Sequence, residues 1–221
     1  MFAQPRMLRV PPYERGITLC DFILPIRIGE RTSVRQHHVA LVLLGVLVLA
    51  ISAQIVVRVP GSPVPVTGQT FGVLVTATAL GFRRGLASVG LYLLLGFALP
   101  IYAAGASGVD HIVGREDGHL VLGATGGYLV GFLFAAAAVG RLAELGWDRR
   151  YAGALAAMLL GNVLVYAVGL PWLAAATGVS AGTALQQGLY PFLVGDALKF
   201  VLAAAVFPVG WWIVGRRPSD R

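Results

Sequence analysis

Long runs without one charged side chain set the terms on which this chain can fold. Residues 39–57, 122–139 and 151–170 contain no Asp, Glu, Lys or Arg, and residues 191–214 contain only two. A helix needs about 20 such residues to cross a bilayer core. Two shorter apolar runs, 67–80 and 85–99, are marginal for that length. They read either as two spans or as one hydrophobic hairpin packed inside a bundle. The tight turn Gly81-Phe82-Arg83-Arg84-Gly85 favours two spans, because Arg83 and Arg84 resist burial. Composition agrees: 57% of the 221 residues are hydrophobic, mean hydropathy is +0.78, and only 12% are charged. A soluble domain carries about 25% charge. The expected fold is therefore an all-α membrane protein with six transmembrane helices.

The basic residues orient these spans. Arg6, Arg9, Arg15, Arg27, Arg31 and Arg35 precede the first span, and Arg83 and Arg84 lie between the second and third. Arg141, Arg149 and Arg150 lie between the fourth and fifth, and Arg216, Arg217 and Arg221 follow the sixth. Fourteen of the 17 basic residues thus fall on one side; Arg58 and Arg115 fall on the other, and Lys199 within a span. By the positive-inside rule both termini are cytoplasmic and the chain is a multi-pass protein of the cytoplasmic membrane. The net charge of +7 then faces an anionic leaflet and calls for no nucleic acid. Residues 1–38 form a cytoplasmic N-terminal segment, residues 39–215 the membrane domain, and residues 216–221 a basic tail. Within the first segment, residues 17–28 read either as a short amphipathic element on the membrane surface or as a partly ordered tail. The first apolar run begins too far in for a signal peptide. Cys20, the single cysteine, excludes an intramolecular disulfide.

Asp196 and Lys199 are the two charges in the last run. An ionisable side chain in a bilayer costs at least a few kcal/mol, so the pair calls for a reason. Spacing i,i+3 puts both on one helical face. Together they can accept from and donate to one small polar ligand; the bland alternative is an ion pair that only orients its helix. The segments expected outside converge on the same end. One is Arg58-Val59-Pro60-Gly61-Ser62-Pro63-Val64-Pro65, followed by Gln69 and Thr70. Another, residues 100–121, opens with Tyr102 and leads to Gly123-Ala124-Thr125-Gly126-Gly127-Tyr128. A third, residues 171–190, holds Trp172 and no charge. Apolar walls with few polar groups suit a small-ligand pocket.

Other motifs carry less. Gly123–Gly127 lacks the Lys and Ser/Thr of a phosphate loop. Ser107 in Gly105-Ala106-Ser107-Gly108 resembles an intramembrane protease serine, but the fifth and sixth runs contain no histidine to activate it. His111 and His119 with Asp110, Glu116 and Asp117 have no diagnostic metal spacing, so neither catalysis nor a metal is expected. Gly127, Gly131 and Ala135 form a small-residue row where another helix can approach closely; Gly45, Ala50 and Ala53 form a weaker one.

The chain resembles the BioY family, the substrate-binding (S) components of energy-coupling-factor biotin transporters. The resemblance is carried by Gly61-Ser62-Pro63-Val64-Pro65-Val66-Thr67-Gly68-Gln69-Thr70-Phe71, Leu91-Tyr92-Leu93-Leu94-Leu95-Gly96, Gly123-Ala124-Thr125-Gly126-Gly127-Tyr128-Leu129, Gly169-Leu170-Pro171-Trp172-Leu173 and Pro191-Phe192-Leu193-Val194-Gly195-Asp196-Ala197-Leu198-Lys199. It implies an S-component-type bundle that binds biotin as its transported ligand and needs no cofactor of its own. ATP would be used by partner ATPase subunits, joined through a transmembrane coupling protein; a homo-oligomer is left open. Asp196 and Lys199 would grip the ureido ring. Tyr102 and Trp172 would flank the bicycle, and Gly126, Gly127 and Tyr128 would wall the pocket. Gln69 and Asn162 are lesser candidates. The loop 108–119 departs from the family pattern in being long and acidic, leaving Arg115 as the candidate for the carboxylate. The alternatives are an S component for another vitamin and an intramembrane serine protease.

Overall fold

The computed structural model describes residues 18–23, 34–116 and 119–215, apart from the side chains of 115–116, 119–120 and 215. Seven helices make up most of this: α1 (Leu19–Ile23), α2 (Val34–Ala53), α3 (Gln69–Gly96), α4 (Gly126–Glu144), α5 (Tyr151–Thr177), α6 (Ala181–Gly188) and α7 (Tyr190–Gly215). Two small antiparallel hairpins join them, β1 (Val56–Val57) with β2 (Val66–Thr67), and β3 (Val113–Glu116) with β4 (His119–Leu122). Among the described residues, four helices are long and apolar enough to cross a membrane: α2, α4, α5 and α7, with mean hydropathy 1.5 to 1.9.

The two short apolar runs are the arms of α3. Gly81 breaks the helix between them with φ 80° and ψ −176°, a conformation open essentially to glycine alone. The chain doubles back there. Gly85 packs on the backbone of Ala77, and at the open end Gln69 Nε2 donates to the Tyr92 hydroxyl at 2.6 Å. At 1.5 Å per residue the arms are roughly 18 and 22 Å long. No residue of the first arm, 69–80, is exposed: it is the central helix of the bundle. Arg83 and Arg84 sit just past the break, and the Arg84 side chain is largely buried there. Arg83 is exposed, and Arg84 is paired with Asp21.

Small residues bring the helices together. A Cβ on Gly131 would lie 2.9 Å from Val165 Cα, and Gly127 faces Trp172, so the small-residue row of α4 meets α5 of the same chain. Gly45 of α2 meets Ser88 and Thr76 of α3.

Several segment boundaries differ from the sequence expectation: α2 runs over Val34–Ala53 rather than 39–57, whose last two residues form β1, and α4 runs over Gly126–Glu144 rather than 122–139. The fifth helix does not stop at Leu170 but runs through Pro171 to Thr177, and α6 follows. Most of residues 171–190 is therefore helical rather than loop. Proline removes one backbone donor, a loss the flanking turns of so apolar a helix tolerate. The segment 100–121 likewise holds two short 3-10 turns and the β3–β4 hairpin. Of the element expected over residues 17–28, only α1 is among the described residues. It is docked on the bundle rather than free: Leu19 is buried against Gly210 of α7, and Asp21 takes two bonds from Arg84, at 2.7 and 2.8 Å.

Candidate functional site

A cavity of about 280 Å3 opens among the helix ends opposite the Gly81 turn. Its walls come from Pro63, Val64 and Pro65 of the first connecting segment and from Tyr102, Ala103, Asp110 and His111 of the second. The start of α4 adds Tyr128, Leu129 and Phe132; α5 adds Val165 and Tyr166, and α7 adds Phe192.

The connecting segments are pinned over it. Ser62 Oγ donates to Gln187 O at 2.7 Å, joining the proline-rich segment to α6. Gln54 Nε2 donates to Tyr102 O at 3.3 Å, and the Tyr102 hydroxyl donates to Leu93 O at 2.6 Å. Burial pushes that phenol up to about 12, so it remains a neutral donor. Trp172 Nε1 donates to Gly123 O at 2.9 Å, and Gly126 and Gly127 close on the same indole. Each bond crosses from one segment to another, and together they build a roof with few unpaired polar groups.

Tyr128, Tyr166 and Phe192 form an aromatic corner. Tyr128 and Phe192 are nearly parallel with centroids 6.2 Å apart; Tyr166 stands edge-on to both, at 6.2 and 6.3 Å. Such rings offer a flat apolar surface to a small ring system. Behind the corner lies a buried polar cluster. Asp196 is 2% exposed; its Oδ1 accepts from Lys199 Nζ at 3.0 Å, and its Oδ2 from Asn162 Nδ2 at 2.8 Å and from the Tyr166 hydroxyl. A buried carboxylate survives only when paired and hydrogen-bonded, and all these donors are supplied by α5 and α7.

The sequence candidates divide between two layers. Gln69, Tyr102 and Tyr128 line the cavity directly. Gln69 is bonded inward: its Nε2 is given to Tyr92 and its Oε1 accepts from Thr67 at 3.1 Å. Asp196, Lys199 and Asn162 stand one layer back, behind Tyr166 and Phe192. Trp172, Gly126 and Gly127 are packed together as the outer side of the wall rather than its inner face. The Arg115 side chain lies outside the described residues, as do the side chains of Glu116 and His119 and the whole of Asp117.

Tyr166, Phe192, Asp110 and His111 were not singled out as ligand-lining residues. Two of them had a readable signal. Tyr166 is one turn beyond Asn162, and Phe192 one turn before Asp196, so each shares a helical face with a candidate already named. Asp110 and His111 had none, since the fold of their loop sets which side chains turn inward.

The model of the BioY family matches residues 29–216. Among curated relatives, the "Probable biotin transporter BioY" of Pyrococcus horikoshii is 33% identical over 174 residues, 78% of this chain and 94% of that protein. The "Biotin transporter BioY" of Rhizobium etli is 35% identical over 150 residues, 64% of this chain and 75% of its own length. Among solved structures, the S-component for biotin from an ECF-type ABC transporter superposes with a TM-score of 0.70 at 25% identity, covering 80% of this chain and 93% of that one.

Proposed function

The chain belongs to the BioY family, and from that premise we propose that it captures biotin and carries it across the cytoplasmic membrane as the substrate-specific component of an ECF-type transporter. The observation that carries the reading is the aromatic-walled cavity backed by the Asp196–Lys199–Asn162–Tyr166 cluster. Biotin is a fused apolar bicycle that bears a urea. The aromatic corner suits the bicycle. The urea's N–H donors and carbonyl acceptor suit a cluster that holds a carboxylate and an ammonium. Ligands lacking either urea function leave buried polar groups unpaired and are rejected.

Counting each arm of α3 as one crossing gives six crossings, with both termini cytoplasmic and the cavity facing outward. The protein catalyses no reaction. It works with a transmembrane coupling protein and ATPase subunits, which supply the energy. Biotin enters beneath the connecting segments, and the bundle reorients to release it inside.

The direct test is binding of radiolabelled biotin to the detergent-purified protein, with unlabelled thiamine and riboflavin as competitors. Saturable biotin binding that neither vitamin displaces supports the reading. Binding of one of the other vitamins without biotin overturns it.

A further inference from the structure

Two helices reach from the cavity to the opposite end of the bundle. α3 gives Gln69 and Thr70 to the cavity wall, and its far end is the Gly81 break with Arg84 just beyond. α7 gives Phe192 to the wall and runs on through Pro208 to Gly210 and Trp211. At 1.5 Å per residue, Phe192 and Gly210 are roughly 27 Å apart along one helix. α1 lies across both far ends. Leu19 fits against Gly210, where a Cβ would lie 2.8 Å from its Cδ2, and Thr18 fits against Gly81, where a Cβ would lie 2.7 Å from its Cγ2. Asp21 accepts from the Thr18 backbone N–H at 3.0 Å and the Thr18 hydroxyl at 2.8 Å, which caps the short helix. Both oxygens of the same carboxylate take the Arg84 fork. Two glycine notches and a bidentate ion pair make a fitted seat, and a helix in that seat sets the spacing of α3 and α7 at the end away from the cavity.

We propose that α1 is a positioning element for the ligand site: seated, it holds α7 against α3 at the tilt the filled cavity requires, so docking of α1 and occupancy of the cavity favour each other. The inference rests on the biotin reading above and adds a remote determinant of affinity to it. A packed helix moves as a body, so a tilt set at one end is felt at the other. With α1 undocked, part of the binding free energy goes into placing α7, and affinity falls. Such coupling is reciprocal: the factor that undocking removes from ligand affinity is the factor that ligand adds to docking.

Cys20 of α1 reports the docking. Burial raises its thiol above the usual range, so the seated helix reacts slowly. The test times alkylation of Cys20 by N-ethylmaleimide on the detergent-purified full chain, with and without saturating biotin. It also measures equilibrium biotin binding, on the unmodified protein and on Arg84→Ala, Arg84→Lys and Leu19→Ala. Biotin should slow alkylation of the unmodified protein at least about fivefold. Arg84→Ala and Leu19→Ala should each speed alkylation and weaken biotin binding by a similar factor, although neither residue lines the cavity. Arg84→Lys, which keeps the charge, should recover part of both. A merely structural α1 would lower the melting temperature of the variants without changing biotin affinity. Biotin binding that leaves Cys20 alkylation unchanged, or release of α1 at unchanged affinity, overturns the proposal and leaves the biotin reading standing. Should Arg84→Ala fail to fold, protection of Cys20 by biotin in the unmodified protein decides. Failure of the unmodified protein to bind biotin removes the reading and this inference together.

Discussion

Lys199 stands one turn beyond Asp196 on α7, and its Nζ lies 3.0 Å from Asp196 Oδ1 in a place where the carboxylate is 2% exposed. Removing one member of such a pair leaves the other buried and unpaired. Asp196→Asn is expected to cost about 3 kcal/mol of folding stability and several kcal/mol of biotin affinity. The double variant Asp196→Asn, Lys199→Met should unfold at a higher temperature than Asp196→Asn alone. Thermal unfolding in detergent checks the first, and equilibrium biotin binding the second. Unchanged affinity in Asp196→Asn would reduce the pair to a helix-orienting device.

Asp148 gives a pH dependence at the opposite end of the bundle. It is 1% exposed in the short turn between α4 and α5, where its Oδ2 accepts from Trp211 Nε1 at 2.7 Å. Burial outweighs that bond and the nearby Arg149 charge, and pushes the carboxyl from 3.8 to about 6. Between those values the folded protein holds the proton more tightly than the unfolded chain. Stability from this group therefore falls as pH rises from 4 to 6, by up to about 3 kcal/mol. Asp148→Asn keeps an acceptor for the indole and should flatten this component. Melting temperatures of parent and variant across pH 4–8 should diverge upward through that window, the variant being the more stable above it.

The α1 clamp titrates in the other direction. Burial would raise the Asp21 carboxyl, but the bonds from Arg84 and Thr18 outweigh it and hold it below the usual carboxylate range. Docking of α1 is accordingly complete above that range and lost as pH falls through the lowered value. Arg84→Ala should remove about 2 kcal/mol of docking free energy at neutral pH. Limited proteolysis between α1 and α2 should be faster in the variant than in the parent.

Gly81→Ala tests the hairpin turn. At φ 80° and ψ −176° any side chain is strained, and a Cβ would also lie 2.7 Å from Thr18 Cγ2. A loss of about 2–4 kcal/mol is expected in a thermal or denaturant unfolding series. Gly61→Ala, also at positive φ but with open space around it, should lose less, since only the backbone term applies.

The long apolar runs and the polar pair were legible because they rest on hydropathy and on the cost of burying charge, both local properties. The doubling-back of α3 was legible only as an alternative, since Arg83 and Arg84 mark a turn without saying how its arms pack. Pro171 misled because proline is read as a stop, whereas a helix this apolar gains more by continuing than one missing bond costs. Of the sequence candidates, Gln69, Tyr102 and Tyr128 line the cavity; the layering of the others behind it was not legible. Asp196 and Lys199 stood out by charge, while Tyr166, which stands between them and the cavity, looks in sequence like any aromatic of an apolar helix. The inward turn of Asp110 and His111 depends on the β3–β4 hairpin and on Gly123 packing against the 110–111 backbone, contacts that no local pattern encodes.

The first arm of α3 has a consequence for how the protein is made. It is short for a bilayer crossing, it contains Gln69, Thr70, Thr76 and Thr78, and none of its residues is fully exposed. Such a segment has little reason to leave the insertion machinery for lipid by itself. α2, α4, α5 and α7 are each long and apolar enough to cross a membrane, whereas this arm depends on packing against its neighbours. Seating this arm also completes the cavity, because Gln69 and Thr70 at its tip are part of the wall. A chain stalled before α4 would hold this arm without the α4 face that packs against it.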